Sequence, residues 1–467
     1  MTTETHPMPT PPSAQARTIA GRMRAELGPL VSLAVPLIGG LTTSTLPGLV
    51  DTYMLGGLGT TVLGAVSLTT SVLLIFYAGL YGCVGPVGIL VGNAYGAGQP
   101  GAVAGVIRHG LVMALLAGLG SLALMTVGLL LLPSLDQPPE VLAVITPYWV
   151  AMSLALIPYA LGLVFKQFYD AIDRPWLGFW LTLTAVLANI GANWVLIYGN
   201  LGFPALGLAG AGIGSLIGQL VGLTVMAAYY RFARSTAAYR TAARWSLQIF
   251  RDQFREGVPM GIQYVLEGGA VAVAGVMIGW LGTLELAAAQ IVDSVTSLLY
   301  MLPLGMAGAV TIRVAQAAGA GAHGRLPSIT YTALAVVTVW MVSFTALLLL
   351  AGEGIAALFV TEPELIAVAG TVFVTVGLMQ VFDGVQSVSL GALRGILDNG
   401  WPTVVSLIGY WLIALPASYV IGVALETGAA GVWTGFALGL VFASVMLVVR
   451  IRRQFRRLAQ PGTGSPV

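Results

Sequence analysis

Four carboxylic acids lie inside long apolar stretches of this 467-residue chain: Asp51, Glu267, Asp293 and Asp383. An ionised carboxylate at the centre of a bilayer costs about 2.5 to 3.5 kcal/mol on insertion scales, so each of these acids needs a partner. No lysine or arginine falls within the same stretches. We therefore expect the neutralising charge to come from outside the protein, as a proton, a small metal cation or a cationic substrate. Competition between such cations for one carboxylate is sufficient for the exchange of one against another.

The depth of these acids in their apolar stretches predicts two polar clusters. At about 1.5 Å of rise per helical residue, Glu267 and Asp383 lie roughly 10 to 15 Å from the same membrane face. Asp51 lies near the opposite end of its own stretch, at the level of Asn189 and Asn193, which are four residues apart and so share a helix face. We predict that these five residues bind cations or protons. Asp293 is a possible further acid near the outer interface.

The positioning elements are expected to be membrane helices. The chain is 57% hydrophobic but only 8% charged, which excludes a soluble enzyme, a nucleic-acid-binding protein and a disordered chain. About 20 apolar residues span a bilayer core. The sequence has apolar stretches of this length at about 30–54, 62–90, 109–132, 142–165, 176–198, 207–229, 257–281, 286–311, 328–351, 365–389, 402–424 and 430–449. The fold class predicted is an all-α polytopic membrane protein with 12 transmembrane helices.

Scarce residue types exclude several other chemistries. The single cysteine, Cys83, rules out a disulfide framework, and the single lysine, Lys166, is not in a phosphate-binding loop motif. We interpret His109 and His323 as solvated loop residues without metal-ligand spacing. No cofactor is expected beyond a coupling ion, and no obligate protein partner.

The basic residues predict the orientation of the chain. If the twelve stretches alternate in direction, all 20 lysines and arginines fall on one side, while Asp136, Glu285 and Glu353 are among the acids on the other. Basic loops stay in the cytoplasm. We therefore expect a multi-pass protein of the plasma (inner) membrane with both termini cytoplasmic.

An internal repeat divides the chain into two halves. At an offset of 223 residues, Met54-Leu-Gly56 aligns with Met277-Ile-Gly279, and Pro36 aligns with Pro259. Because each half has an even number of spans, the repeat is parallel, and two such bundles can enclose a central cavity. The predicted boundaries are a disordered tail at 1–16, a first lobe at 17–230, a linker at 231–256, a second lobe at 257–449 and a basic tail at 450–467.

The sequence as a whole resembles the multidrug and toxic compound extrusion (MATE) transporters, from about residue 30 to 450, and its NorM-like branch in particular. The resemblance rests on the residues quoted above together with Gly92-Asn-Ala-Tyr-Gly-Ala-Gly98 and Gly391-Ala-Leu-Arg-Gly395. It implies two six-helix lobes around a V-shaped cavity. It also implies export of cationic amphiphiles in exchange for Na⁺ or H⁺, with no enzymatic activity.

The resemblance also implies roles for particular residues. Asp51, Asn189 and Asn193 match the family's cation cluster in the first lobe, and Glu267 and Asp383 match its cation site in the second lobe, where Na⁺ is a possible ligand. Met379 departs from some Na⁺-coupled relatives, which have an aromatic residue there. Four tyrosines are candidates for the substrate cavity, since aromatic faces attract organic cations: Tyr53, Tyr77, Tyr264 and Tyr300.

Two other functions remain as alternatives. One is a flippase for lipid-linked oligosaccharide of the same superfamily, which is expected to need basic residues in its cavity. The other is an integral membrane transferase acting on a lipid-linked substrate, which would need grouped acids or histidines at an interface and a sizeable outer domain. The sequence favours an antiporter that exports cationic, amphiphilic drugs through the lipid bilayer.

Overall fold

The computed structural model describes residues 19–135, 139–241 and 244–458. The predicted tail at 1–16, the end of the basic tail at 459–467 and Asp136 lie outside the described residues.

Twelve helices within the described residues are long and apolar enough to cross a membrane, which confirms the predicted number. They are α1 Ile19–Gly56, α2 Thr60–Gly96, α3 Pro100–Leu131, α4 Pro139–Ala171, α5 Pro175–Tyr198, α6 Leu208–Phe232, α7 Leu247–Trp280, α8 Thr283–Gly319, α9 Leu326–Ala356, α10 Pro363–Gly395, α11 Gly400–Ala424 and α12 Gly428–Leu458. Because twelve helices alternate in direction, α1 begins and α12 ends at the same face of the bundle. We call this the terminal face and the opposite one the distal face.

Several helices extend beyond the apolar stretches that predict them. The chain between α6 and α7 is short, with a 3₁₀ turn at Arg234–Tyr239, and Arg251 lies inside α7. Similarly, α10 runs to Gly395, so Arg394 occupies its last turn and is buried. A helix can end in polar residues at the bilayer interface, and hydropathy alone does not report those turns.

The interpretation of His109 as a solvated loop residue is wrong. The side chain is fully buried in α3, and its Nδ1 lies 2.7 Å from the carbonyl oxygen of Gly105. Its Nε2 accepts a hydrogen bond of 2.9 Å from the backbone N–H of Ser246, and its ring stacks on Trp245 at 4.5 Å between centroids. His109 therefore fastens the segment before α7 to the first half of the chain.

The two halves meet through equivalent close contacts between α2 and α8. A Cβ on Gly96 would collide with the backbone carbonyl of Gln316, and a Cβ on Gly319 would collide with the backbone carbonyl of Asn93. Gly96 and Asn93 correspond to Gly319 and Gln316 at the offset of 223 residues. Only glycine allows two helix backbones to approach this closely. The repeat in the sequence is thus also a repeat in the contacts.

The first helix of each half packs, near its start, against the other half. Leu30 and Leu37 of α1 belong to an apolar cluster with residues of α8 such as Met306 and Val310. At the corresponding place in α7, the Gln253 side chain donates a 2.9 Å hydrogen bond to the carbonyl of Val106 in α3. These exchanged contacts lie on the terminal side of the molecule.

Toward the distal face, the second half has an apolar core of its own. This cluster contains Ala274 and Ile278 of α7, Phe373 of α10 and Phe436 of α12, and every residue in it comes from the second half. Asp51, in contrast, lies where the distal part of α1 packs beside α5 of the first half. The halves therefore interlock near the terminal face and are packed separately near the distal face.

Candidate functional site

The first polar cluster surrounds Asp51. Its carboxylate is 6% exposed and accepts a hydrogen bond of 2.5 Å from Asn193 Nδ2 at Oδ1. Ser215 of α6 donates a longer bond of 3.4 Å to Oδ2, and Asn189 Nδ2 donates to the Ser215 hydroxyl at 3.1 Å. The structure therefore brings the three predicted residues of this cluster together, with Asn189 linked to Asp51 through Ser215.

The amides of this cluster have unused acceptors. Within the described residues, Asn189 Oδ1 and Asn193 Oδ1 are buried without a hydrogen-bond donor. Asn193 Oδ1 packs directly against Gly214 of α6, where a Cβ would displace it. Oxygen atoms of carboxylates and amides are the ligands that hard cations take. The cluster is chemically suited to holding a proton or a small cation.

A second cluster surrounds Asp383 in the middle of α10. Tyr300 of α8 donates a hydrogen bond of 3.1 Å to Asp383 Oδ1, and its hydroxyl is 2.5 Å from Ser387 Oγ. Asp383 and Ser387 are four residues apart and share one face of α10. Tyr300 therefore ties α8 to the acid-bearing face of α10.

Glu267 of α7 belongs to the same cluster. Tyr410 of α11 donates to Glu267 Oε1 at 3.3 Å, and Gln386 Nε2 donates to the Tyr410 hydroxyl at 2.6 Å. Gln386 is one turn from Asp383 on α10, and the two carboxylates are close enough to interact electrostatically. The structure thus places Glu267 and Asp383 in one site, each with a tyrosine hydroxyl as donor.

An irregular stretch of α11 positions Tyr410. Residues Leu407–Ala414 form a π-helix, and a second π-helical segment follows at Tyr419–Ala424. A π-helix inserts an extra residue per turn and rotates the side chains that follow it, and it occurs frequently at functional sites. Tyr410 is 2% exposed within this stretch.

Arg394 is a base that the apolar stretches did not reveal. Its Nη1 donates to the Tyr264 hydroxyl at 2.8 Å and its Nη2 to Gln263 Oε1 at 3.2 Å, and its guanidinium lies 4.7 Å from the centre of the Tyr264 ring. Gln263 is one helical turn before Glu267. Arg394 is close enough to act electrostatically on Glu267, so the acids of the second half are not without a basic neighbour.

The four candidate cavity tyrosines have different surroundings. Tyr300 and Tyr264 hydrogen bond to Asp383 and Arg394 respectively, and Tyr264 also packs edge-on against Tyr81 of α2 at 5.5 Å. Tyr77 packs edge-on against Tyr159 at 4.7 Å. Tyr53 is 87% exposed. Tyr264 of the second half is therefore also in contact with the first half.

Asp293 lies apart from both clusters. It is exposed on α8, seven residues and so two turns before Tyr300, on the same helix face. Its carboxylate forms no hydrogen bond or salt bridge with another described residue.

Some residues of these clusters gave no separate signal in the sequence. Ser215, Gln386 and Tyr410 are single polar groups in apolar helices, where most such groups only join helices. In the described part of the chain no three histidine, cysteine, aspartate or glutamate residues are grouped as a metal site. A Na⁺ ion at Glu267 and Asp383 would therefore depend on neutral oxygens such as the two tyrosine hydroxyls.

The fold and the two sites define the class of protein. It is a twelve-helix membrane protein with a buried carboxylate cluster in each half. The sequence profile of the MatE family matches residues 36–195 and 259–420. The chain is 31% identical over 452 residues to the probable multidrug resistance protein NorM of Rhizobium meliloti (strain 1021), across 93% of this chain and 94% of that protein. It is 32% identical over 439 residues to the protein of the same name in Xanthomonas axonopodis pv. citri, across 91% and 94%.

Solved structures agree with this relationship. The fold is similar to that of the eukaryotic MATE transporter AtDTX14, with 22% identity and a TM-score of 0.82 over 94% of this chain and 99% of that one. It is also similar to the outward-facing conformation of a multidrug resistance MATE family transporter, with 19% identity and a TM-score of 0.83 over 96% and 100%. The chain belongs to the MATE family and is NorM-like, which makes it a membrane transporter and not an enzyme.

Proposed function

We propose that the protein exports cationic amphiphilic drugs from the cytoplasm in exchange for Na⁺ or H⁺. The observation that carries this proposal is the pair of buried carboxylate clusters, one in each half, around Asp51 and around Glu267 with Asp383. A cation or proton bound at either cluster neutralises a charge that the bilayer disfavours. A drug cation that competes for the same charge is released when the coupling ion binds.

The two halves act as lobes in this proposal, at 17–230 and 257–449, joined by the segment at 231–256. The close contacts of α2 with α8 join the two lobes near the terminal face, and the separate distal core of the second half supports a cavity open to the distal side. Rocking of the lobes about these contacts would close the distal side and open the terminal side. Asp293, exposed toward the distal end of α8, would face a substrate on its way out.

The orientation of the protein follows from its charge. The arginines at the terminal ends of α1, α6, α7 and α12 lie on one face of the molecule. This supports a location in the inner membrane with both termini in the cytoplasm. A flippase for lipid-linked oligosaccharide receives less support, because the acids of the second cluster face a single arginine that is itself engaged by Tyr264 and Gln263.

An efflux assay tests the proposal. Purified protein is reconstituted into liposomes loaded with ethidium, and a Na⁺ gradient or a pH gradient is imposed separately. A tenfold gradient of either ion is worth about 1.4 kcal/mol. We expect one gradient to drive ethidium transport, and Asp51→Asn, Glu267→Gln and Asp383→Asn to abolish it. The matched control is Glu364→Gln, since Glu364 is exposed at the start of α10. Gradient-driven transport at the parental rate in all three variants would refute the proposal.

A further inference from the structure

A basic crevice on the terminal side of the first half is separate from both carboxylate clusters. It has a volume of about 460 Å³ and lies between α3, the end of α6 and the segment that follows α6. Arg108, Arg231 and Arg240 line it together with Tyr230, and its apolar side is formed by residues such as Ile107 and Leu111. Among the described residues that line it, none is acidic.

The position of Arg240 is fixed by the fold. Its guanidinium donates to the backbone carbonyls of Arg231 and Ala233, the latter at 2.6 Å, at the end of α6. Tyr230 donates to the carbonyl of Tyr239 at 2.6 Å and so holds the returning segment in place. The charge at this point is therefore built into a folded turn rather than carried on a freely moving side chain.

Arg231 and Arg240 retain capacity for an anion. Within the described residues neither Arg231 nor Arg240 forms a salt bridge. The basic residues in the ion pairs there are Lys166, Arg313, Arg325 and Arg450. The Nε of Arg240 is buried and has no hydrogen-bond acceptor in the described structure. A buried donor on a charged group costs stability unless an acceptor arrives.

An apolar track leads from the crevice into the membrane. Leu111, Leu115 and Leu119 are four residues apart on one face of α3, and the latter two are 40% and 45% exposed. The track starts one turn from Arg108 and continues toward the distal face. A ligand with an anionic head and an acyl chain fits both parts, whereas free phosphate would use only the head.

We propose that this crevice binds the headgroup of an anionic glycerophospholipid, with the phosphate between Arg231 and Arg240 and an acyl chain along the leucines of α3. Basic pockets between membrane helices on the cytoplasmic side are suited to such lipids. The site rests only on the membrane location of the chain and is independent of the transported substrate. Its effect would be to anchor the end of α6, where the connection to the second half begins.

Native mass spectrometry of the detergent-purified protein tests this site. Phosphatidylglycerol and phosphatidylcholine with the same acyl chains are titrated separately, and we expect phosphatidylglycerol to bind more tightly. Arg231→Gln keeps the backbone carbonyl that Arg240 binds, and should weaken phosphatidylglycerol binding about fivefold, since one arginine near the headgroup contributes about 1 kcal/mol. Arg240→Gln should weaken it further but also removes a cap on α6, so Arg231→Gln is the deciding variant.

The control is Arg452→Gln with Arg453→Gln, which removes two exposed arginines at the same face of the molecule. It should leave phosphatidylglycerol binding unchanged. Equal binding of both lipids to the parent protein, or an equal loss in the control and in Arg231→Gln, would overturn the proposal. So would displacement of phosphatidylglycerol by inorganic phosphate or glycerol 3-phosphate at similar concentrations, because the ligand would then be a soluble phosphate.

Discussion

Gly96 and Gly319 occupy equivalent positions in the two halves, and each packs against the backbone of the residue three positions before the other. The contacts are Gly96 with Gln316 and Gly319 with Asn93. About 20 Å further along α2 by helical rise, Cys83 packs against Gly261 of α7, with the Sγ 3.1 Å from where a Cβ on Gly261 would stand. The interface between the halves thus contains the only cysteine of the chain, which provides a natural probe of its opening.

Gly319→Ala should separate the halves at the terminal face. The added methyl group cannot fit against Asn93 without a backbone shift, so the state with this interface closed becomes less stable. We expect the alkylation of Cys83 by N-ethylmaleimide to accelerate several-fold. Gly120→Ala is the matched control, because no atom lies within 4 Å of the added Cβ. An unchanged alkylation rate in Gly319→Ala would contradict a role for this contact in closure.

Gly214→Ala should disable the first cluster without altering any of its polar residues. The new Cβ would displace Asn193 Oδ1 and with it the bond from Asn193 to Asp51. A hydrogen bond to a charged group contributes about 1.5 to 3 kcal/mol, so drug efflux should fall to about the level of Asn193→Ala. Gly191→Ala on α5 has open space around its Cβ and should retain parental efflux. Equal efflux in both glycine variants would show that the Asn193 contact is dispensable.

Tyr300→Phe and Tyr410→Phe should weaken binding of the coupling ion at the second cluster. Tyr300→Phe removes the hydroxyl that donates to Asp383, and Tyr410→Phe removes the hydroxyl that donates to Glu267. Each variant leaves the aromatic ring in place. We expect the ion concentration for half-maximal efflux to rise several-fold in each variant, with the maximal rate less affected. The measurement is efflux against Na⁺ or proton concentration in liposomes. Tyr419→Phe, at an exposed position of α11, is the control. A change confined to the maximal rate would argue against ion ligation by these hydroxyls.

Arg394→Gln should lower stability more than removal of a surface arginine does. The side chain is 8% exposed, and its loss would leave the Tyr264 hydroxyl and Gln263 Oε1 without their donor. Leaving a buried polar group without its hydrogen-bond partner costs about 1 to 3 kcal/mol. Thermal unfolding in detergent should show a clear decrease in Tm for Arg394→Gln, a smaller decrease for Arg394→Lys and none for Arg452→Gln. A Tm for Arg394→Gln equal to that of Arg452→Gln would mean that these contacts contribute little.

The sequence predicted the helices well because each apolar stretch is long and the basic residues fix the alternation. The depth argument also placed Glu267 and Asp383 at one level, and the structure has them in one cluster. The apolar stretch at 365–389 ends before Arg394, and the sequence favours a loop at His109, because hydropathy cannot detect a helical turn that continues past the apolar core. The π-helix that carries Tyr410 has no signal in an apolar sequence, since its extra residue changes neither composition nor length noticeably.

The start of α1 packs against the second half, and this has a consequence for synthesis of the chain. Glu26 is 5% exposed and pairs with Arg325 at 2.7 Å and with Arg313 at 3.5 Å, although Arg325 follows it by 299 residues. Chains fold progressively from the N-terminus as they are made. The beginning of α1 therefore cannot reach its final place until α8 and the start of α9 have been inserted, and the first half made alone would present this acid and its neighbouring leucines without their partners.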